Sequence, residues 1–301
     1  MKQVKLSILV ISYNQEDYIL RALEGAAIQQ TNFPIEWVIA DDFSSDKTPD
    51  LIKDFCLRNS IAFTILETNR NLGMGWNYQR GFEACSGEYI AILEGDDYWT
   101  HPYRLQKHVD FLEAHPACPL SFNKYLLHFQ KNDTLISSPK EFEEGVVFHS
   151  TKRLIQYNFI GNLSCCVIRK KYLTKIAKEW FAYQPNDRFL GIFLSQFGQL
   201  AFLNEELSVY RITNQGIWSK QSNVSKKNAL IQESYQIDEA LNYTYSKELA
   251  SFRLATRLKL WREEKLGNLP FPFNKFLSKL LPTGLLLRVA EVGVVRFGIN
   301  S

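Results

Sequence analysis

Cysteine is sparse in this chain and forms no ligand pattern: Cys56, Cys85, Cys118, Cys165 and Cys166 contain no C-x-x-C pair. An odd total of five, with one adjacent pair and apolar surroundings, reads as reduced thiols in a cytosolic core rather than a disulfide framework. The five histidines are scattered, none paired at metal-ligand spacing. No G-x-G-x-x-G follows the first apolar run, which argues against a dinucleotide dehydrogenase, and no Walker-type Gly-Lys-Ser/Thr loop is present. A nucleotidyltransferase would need a Gly-rich, basic loop at that point, and Ser12-Tyr13-Asn14-Gln15-Glu16 is neither. The formal net charge of +3 is too small to imply a nucleic-acid partner. Repeats and low-complexity tracts are absent, and no separate apolar segment or cleavage site precedes the first strand, so no secretion signal is expected.

What is present begins with residues 89–99, where the apolar run Tyr89-Ile90-Ala91-Ile92-Leu93 leads directly into Glu94, Asp96 and Asp97. A run of this length reads as a buried strand, and the switch to acid and glycine marks its C-terminal end. Carboxylates held at a strand end suit a hard divalent cation, Mg²⁺ or Mn²⁺, far better than zinc. A solvated acidic turn is the plainer alternative.

Earlier apolar runs repeat the arrangement. Leu6–Ser12 is closed by Tyr13-Asn14, residues 37–40 by Asp41-Asp42, and residues 63–66 form a further run. Helix-length segments lie between them at about 16–29, 48–58 and 75–85, with Asp46 and Thr48-Pro49 as a helix start. This alternation predicts an α/β fold with a mostly parallel sheet covered on both faces. In such sheets ligands bind beyond the carboxyl ends of the strands, so Tyr13, Asp42, Asp96 and Asp97 are expected on one rim. With 301 residues and 46% hydrophobic content, the chain can bury one large domain carrying an appendage.

Residues 7–18, 39–48, 71–74, 87–100 and 187–219, in this order, resemble the family 2 glycosyltransferases of the GT-A fold, a Rossmann-like sheet flanked by helices. The resemblance spans roughly residues 4–219. It implies transfer of a sugar from a nucleoside-diphosphate donor, UDP- or dTDP-type, to a hydroxyl of a glycan or lipid-linked acceptor. Inversion at the anomeric carbon and a role in surface polysaccharide synthesis follow from the same likeness. It also implies donor contacts at Ile11, Ser12, Tyr13, Asp42, Asn71, Gly73, Asp96 and Arg211. Tyr13 would stack on the base, and Asp42 would accept from base or ribose. Asp97 matches the last acid of a DXD-type motif and is the expected direct metal ligand. Glu94 replaces the motif's first Asp, so its contact is expected to be looser. Mn²⁺ or Mg²⁺ would then neutralise the departing diphosphate. Some of the 21 Phe and 14 Tyr would line a sugar site, most the core.

Asp187 matches the family's catalytic base, and its competing reading is a helix N-cap shared with Asn186. Asn162 and Ser164 are candidate acceptor contacts or turn residues. One departure stands out: family members often carry Tyr-Arg-x-His, whereas this chain has Tyr210-Arg211-Ile212-Thr213 ahead of Gly216-Ile217-Trp218. Thr213 offers only a neutral hydroxyl, so donor affinity or metal dependence is expected to differ. The same loss motivates an alternative, a non-catalytic nucleotide- or glycan-binding scaffold. With no Q-x-x-R-W motif, single additions are expected.

Residues 1–220 are thus expected to bind donor and acceptor, and residues 221–301 to form a helical region. There Ile237, Leu241, Tyr245, Leu249 and Phe252 form an apolar stripe at helical spacing. Residues 280–297 are apolar but interrupted by Arg288, Glu291 and Arg296, which fits a helix in a membrane interface or docked on a second copy, not a spanning one. Location is accordingly expected in the cytoplasm, peripheral at the inner face of the plasma membrane, with a homodimer as the other use of this tail.

Overall fold

The computed structural model describes residues 3–138, 146–158, 160–183, 186–213 and 221–266. The Gly216-Ile217-Trp218 stretch and the interface-helix reading of residues 280–297 lie outside the described residues. The chain divides into two compact units, residues 1–219 and 220–301.

The first unit opens with β1 (Leu6–Ser12), α1 (Ile19–Ala27), β2 (Ile35–Asp41), α2 (Thr48–Arg58), β3 (Phe63–Ile65), α3 (Met74–Ala84) and β4 (Tyr89–Glu94). These strands pair in parallel in the order β3-β2-β1-β4. Every residue of β1 is buried, which explains why its sequence is a continuous apolar run and not an alternation. Leu6, Ile8 and Val10 pack with Ile19 and Leu23 of α1, Trp37 and Ile39 of β2, and Leu93 of β4 in one core cluster. Each such side chain contributes about 1.5–3 kcal/mol when fully buried.

The unit continues with β5 (Tyr98–Trp99), α4 (Arg104–Ala114), β6 (Leu120–Phe129), β7 (Thr134–Ser137), β8 (Val146–His149), α5 (Thr151–Gln156), β9 (Cys166–Arg169), α6 (Lys170–Leu173), α7 (Asp187–Leu194) and β10 (Leu200–Ile212). Here the sheet becomes mixed. β9 runs antiparallel to both β4 and β6, and β10 runs parallel to β6 but antiparallel to β5 and β8. β7 is a hairpin strand on β6. The register of β10 on β6 slips between Leu203 and Glu206 and again between Glu206 and Ser208. All five cysteines are buried.

The second unit contains α8 (Asn223–Ala240) and α9 (Ser246–Leu266). The stripe from Ile237 to Phe252 is not one helical face: the chain reverses after Leu241, with Asn242 and Tyr243 in the left-handed region at φ 48° and 59°. Ile237, Leu241 and Leu249 are buried on the two helices and the turn. The pairing is fixed by Arg253, which contacts Asp238 at 3.0 Å with both side chains nearly buried, while Ser246 donates to the same carboxylate. Among the described residues, no helix is long and apolar enough to cross a membrane.

Candidate active site

The carboxyl ends of β1, β2 and β4 lie side by side, because Ser12 pairs with Asp41 and Ile11 with Glu94. Tyr13 leaves the end of β1 and is 49% exposed, so its ring is available at the rim. Ser12 donates to Asp41 (2.8 Å), and Asp41 also accepts from the Ser44 amide and hydroxyl. Asp41 therefore shapes the turn after β2. Asp42 is buried, and its two oxygens accept from the amides of Leu72 (2.8 Å) and Gly73 (2.9 Å). Asn71 donates back to the Asp42 carbonyl. Gly73, at φ 86°, turns the chain into α3 with open space where a Cβ would be. Asp42, Asn71 and Gly73 thus form one loop lock beside Tyr13, and each Asp42 oxygen keeps a further lone pair. The main-chain oxygen of Ile11 accepts from Gly95 (2.8 Å), joining this rim to the acidic turn.

In that turn Glu94 accepts from the Tyr78 hydroxyl (2.7 Å), and its amide donates to Ser164 Oγ. Asp97 is fully buried. Its Oδ2 accepts from Asn162 and Ser164, both at 2.7 Å, and its Oδ1 from the Arg211 amide at 2.9 Å. A carboxylate carries about four lone-pair sites, so one remains after these three donors. Asn162 and Ser164, candidate acceptor contacts or turn residues, both donate to Asp97. Asp96 is partly exposed, and no described side chain donates to it. Burial, followed by mutual repulsion, drives Glu94 well above the usual carboxylate range and pushes Asp97 up to about 7. Burial also raises Asp96, opposed by its own amide and by Arg211.

Hard oxygens under mutual repulsion fit a hard divalent cation, which would relieve that repulsion. Among the described residues, no three aspartate, glutamate, histidine or cysteine side chains are placed to hold a metal ion together, so fewer protein ligands than that are available. An open set of this kind suits an ion that keeps waters and takes phosphate oxygens from its substrate.

Asp187 begins α7, but the cap is Asn186, whose side chain accepts from the Phe189 amide at 3.0 Å. This leaves the Asp187 carboxylate for another task. Asn158 donates to it, and Asn158 in turn accepts from the Gly161 amide (3.3 Å). Burial raises Asp187 despite these donors, and Asp187 is close enough to push Glu94 upward in turn. Asp187 and the acidic turn therefore lie in one region, within electrostatic reach of each other.

The Arg211 guanidinium lies between two rings, 4.9 Å from the centroid of Tyr18 and 5.1 Å from that of Tyr98, with Arg21 on the Tyr98 ring as well (5.1 Å). Its Nη1 is buried without a hydrogen-bond partner, an orphan suited to an anion. Thr213 follows, buried on the same strand end.

Arg104 was not singled out from the sequence. Fully buried, it stacks on Trp99 (4.4 Å) and donates to Asn123 and to the Ser164 carbonyl (3.0 Å), which also accepts from Trp99 Nε1. It braces from behind the turn that reaches Asp97. Among sequence signals, only an arginine within the amphipathic α4 pattern was available, and this does not distinguish a buried cation from a surface one.

Residues 7–176 match Glycosyl transferase family 2, and the chain belongs to that family. A Mycobacterium tuberculosis protein, "Uncharacterized protein Rv1520", is 35% identical over 213 residues, covering 71% of this chain and 60% of that one. This chain therefore spans about 60% of the length of that relative. The "Putative teichuronic acid biosynthesis glycosyltransferase TuaG" of Bacillus subtilis is 26% identical over 74% of this chain and 84% of its own. Among solved structures, S. aureus TarS 1–349 in complex with UDP-GlcNAc superposes with a TM-score of 0.63 at 17% identity, covering 84% of this chain and 71% of that one. The mannosyltransferase PcManGT from Pyrobaculum calidifontis, in complex with GDP-Man and Mn²⁺, gives 0.59 at 15% identity over 98% and 81%. These likenesses establish the fold as GT-A.

Proposed function

We propose that the protein is an inverting glycosyltransferase moving one sugar from a UDP- or dTDP-type donor to a hydroxyl of a glycan or lipid-linked acceptor in surface polysaccharide synthesis. The observation carrying this reading is the acidic turn Glu94, Asp96 and Asp97 at the carboxyl edge of the sheet, where Asn162, Ser164 and the Arg211 amide hold Asp97 and Asp187 lies within electrostatic reach of Glu94. The rim at Tyr13, Asp42, Asn71 and Gly73, with the main chain of Ile11 and Ser12, receives the nucleoside. Arg211 offers its unpaired N–H to a phosphate oxygen. The remaining lone pair of Asp97, with Glu94, would hold Mn²⁺ or Mg²⁺, which when bound supplies charge neutralisation for the departing diphosphate, and Asp96 contacts the donor. Asp187 takes the acceptor's proton as that oxygen forms a bond to the anomeric carbon. The bond from that carbon to the diphosphate oxygen breaks, and the electron pair leaves with the nucleoside diphosphate. Its raised pKa suits Asp187 to this task, because a stronger base than an ordinary carboxylate accepts the proton more readily.

The names of relatives support the polysaccharide setting: TuaG is named for teichuronic acid biosynthesis, and an E. coli relative, 30% identical over 47% of this chain and 55% of its own, is a glucosyltransferase acting on a diphosphoundecaprenol-linked sugar. A lipid-linked acceptor in turn favours a cytoplasmic protein working at the inner membrane face, with residues 221–301 contacting the membrane or a second copy. The test is release of nucleoside diphosphate from a panel of nucleotide sugars with Mn²⁺ or Mg²⁺. Turnover that needs the cation and is lost in Asp187→Asn supports the reading. Metal-linked nucleotide affinity without turnover on any donor would instead make the protein a binding scaffold.

A further inference from the structure

Tyr210 stands between the two halves of this site. Successive strand residues project to opposite faces, so with Arg211 directed at Tyr18 and Tyr98, Tyr210 leaves β10 on the other side. Its half-buried ring meets Tyr125 edge-on at 6.2 Å. Tyr125 in turn reaches Gly161: a Cβ built there would lie 2.4 Å from the Tyr125 hydroxyl oxygen. Gly161 belongs to the Asn158 clamp on Asp187. On the other flank, the residue after Tyr210 donates its amide to Asp97. A continuous path therefore runs from Asp97 through Tyr210 and Tyr125 to Asp187. The phenol is held protonated, chiefly by burial and then by the charges of Asp97, Glu94, Asp96 and Asp187, which are near enough to act on it.

Under the transferase reading, on which this inference rests, the reacting carbon lies between a diphosphate at the acidic turn and an acceptor oxygen at Asp187. We propose that the Tyr210 ring is the wall on which the transferred sugar packs, and that this sugar is a pyranose. A pyranose offers a CH-rich face to an aromatic ring, and the phenol O–H can donate to a sugar hydroxyl.

The full chain, with Mn²⁺, is titrated calorimetrically with UDP, dTDP, UDP-glucose, UDP-N-acetylglucosamine, dTDP-glucose and UDP-glucuronate. Tyr210→Ala is expected to weaken the tightest-binding nucleotide sugar roughly tenfold while leaving the free nucleotide within about twofold. Tyr210→Phe, which keeps the ring, is expected to retain most of that affinity. An equal loss for sugar-bearing and free nucleotide, or no loss for either, overturns the assignment of Tyr210. Wild-type protein that binds no member of the panel overturns this inference together with the donor reading beneath it.

Discussion

The main-chain N–H of Arg211 donates to Oδ1 of Asp97 at 2.9 Å across 114 positions of sequence, while the guanidinium of the same residue is clamped between Tyr18 and Tyr98. One residue therefore fixes the acidic turn with its backbone and holds a cation beside it with its side chain.

That arrangement makes stability without metal depend on pH in a definite direction. Burial and Asp96 push Asp97 up to about 7, against about 3.9 for an unfolded aspartate. The folded state thus binds this proton more tightly, so the contribution is complete below the unfolded value and is lost as pH rises through about 7. Glu94 and Asp187 shift the same way. Thermal unfolding in chelator is expected to show Tm falling between about pH 5 and 8, and Mn²⁺ should flatten the slope. A Tm that rises over this window in chelator contradicts the buried cluster.

Tyr13 and Asp42 are expected to separate binding from folding. Tyr13→Ala removes an exposed ring and should weaken nucleotide binding with Tm almost unchanged. Asp42→Ala strands the amides of Leu72 and Gly73 and should cost about 1–3 kcal/mol as well as nucleotide affinity. Denaturant titration and nucleotide binding on both variants decide this. Equal stability losses would mean that Tyr13 is packed, not presented.

Gly161→Ala should be costly twice over. At φ +71° an alanine is strained by about 1–2 kcal/mol, and its Cβ would collide with the Tyr125 hydroxyl. The expected result is a destabilised protein with a larger fall in kcat than in nucleotide affinity, because the Asn158 clamp on Asp187 shifts. Unchanged kcat would detach this turn from the base.

Arg104→Lys keeps the charge but loses the fork to Asn123 and Ser164 and the flat stack on Trp99. A loss of roughly 2–3 kcal/mol is expected, a fall in Tm of about 4–12 °C. A Tm within about 1 °C of wild type would show that the guanidinium geometry is dispensable.

Much of the first half of the fold is legible in residue pattern, because buried parallel strands are continuous apolar runs and their acidic ends are abrupt. Observed α2 coincides with the expected helix, although Asp46 accepts from the Thr48 amide as a turn and not as the formal cap. The tasks of Asn162 and Ser164 are not legible, since their partner Asp97 lies 65 and 67 positions away and polar residues in a turn look alike whichever carboxylate they serve. The break at Asn242 and Tyr243 also escapes a periodicity argument. Spacing of three and four is preserved across the reversal, while tyrosine at positive φ carries no compositional mark. The Asn186 cap became distinguishable from Asp187 only once side-chain oxygens had positions.

The two slips between Leu203 and Ser208 lie upstream of Tyr210 and Arg211 on a strand bonded to β5, β6 and β8. Side chains alternate along a strand, so deleting a single residue in that irregular stretch would exchange the phenol and the guanidinium between faces. The site's identity is therefore tied to a count of residues made well outside it.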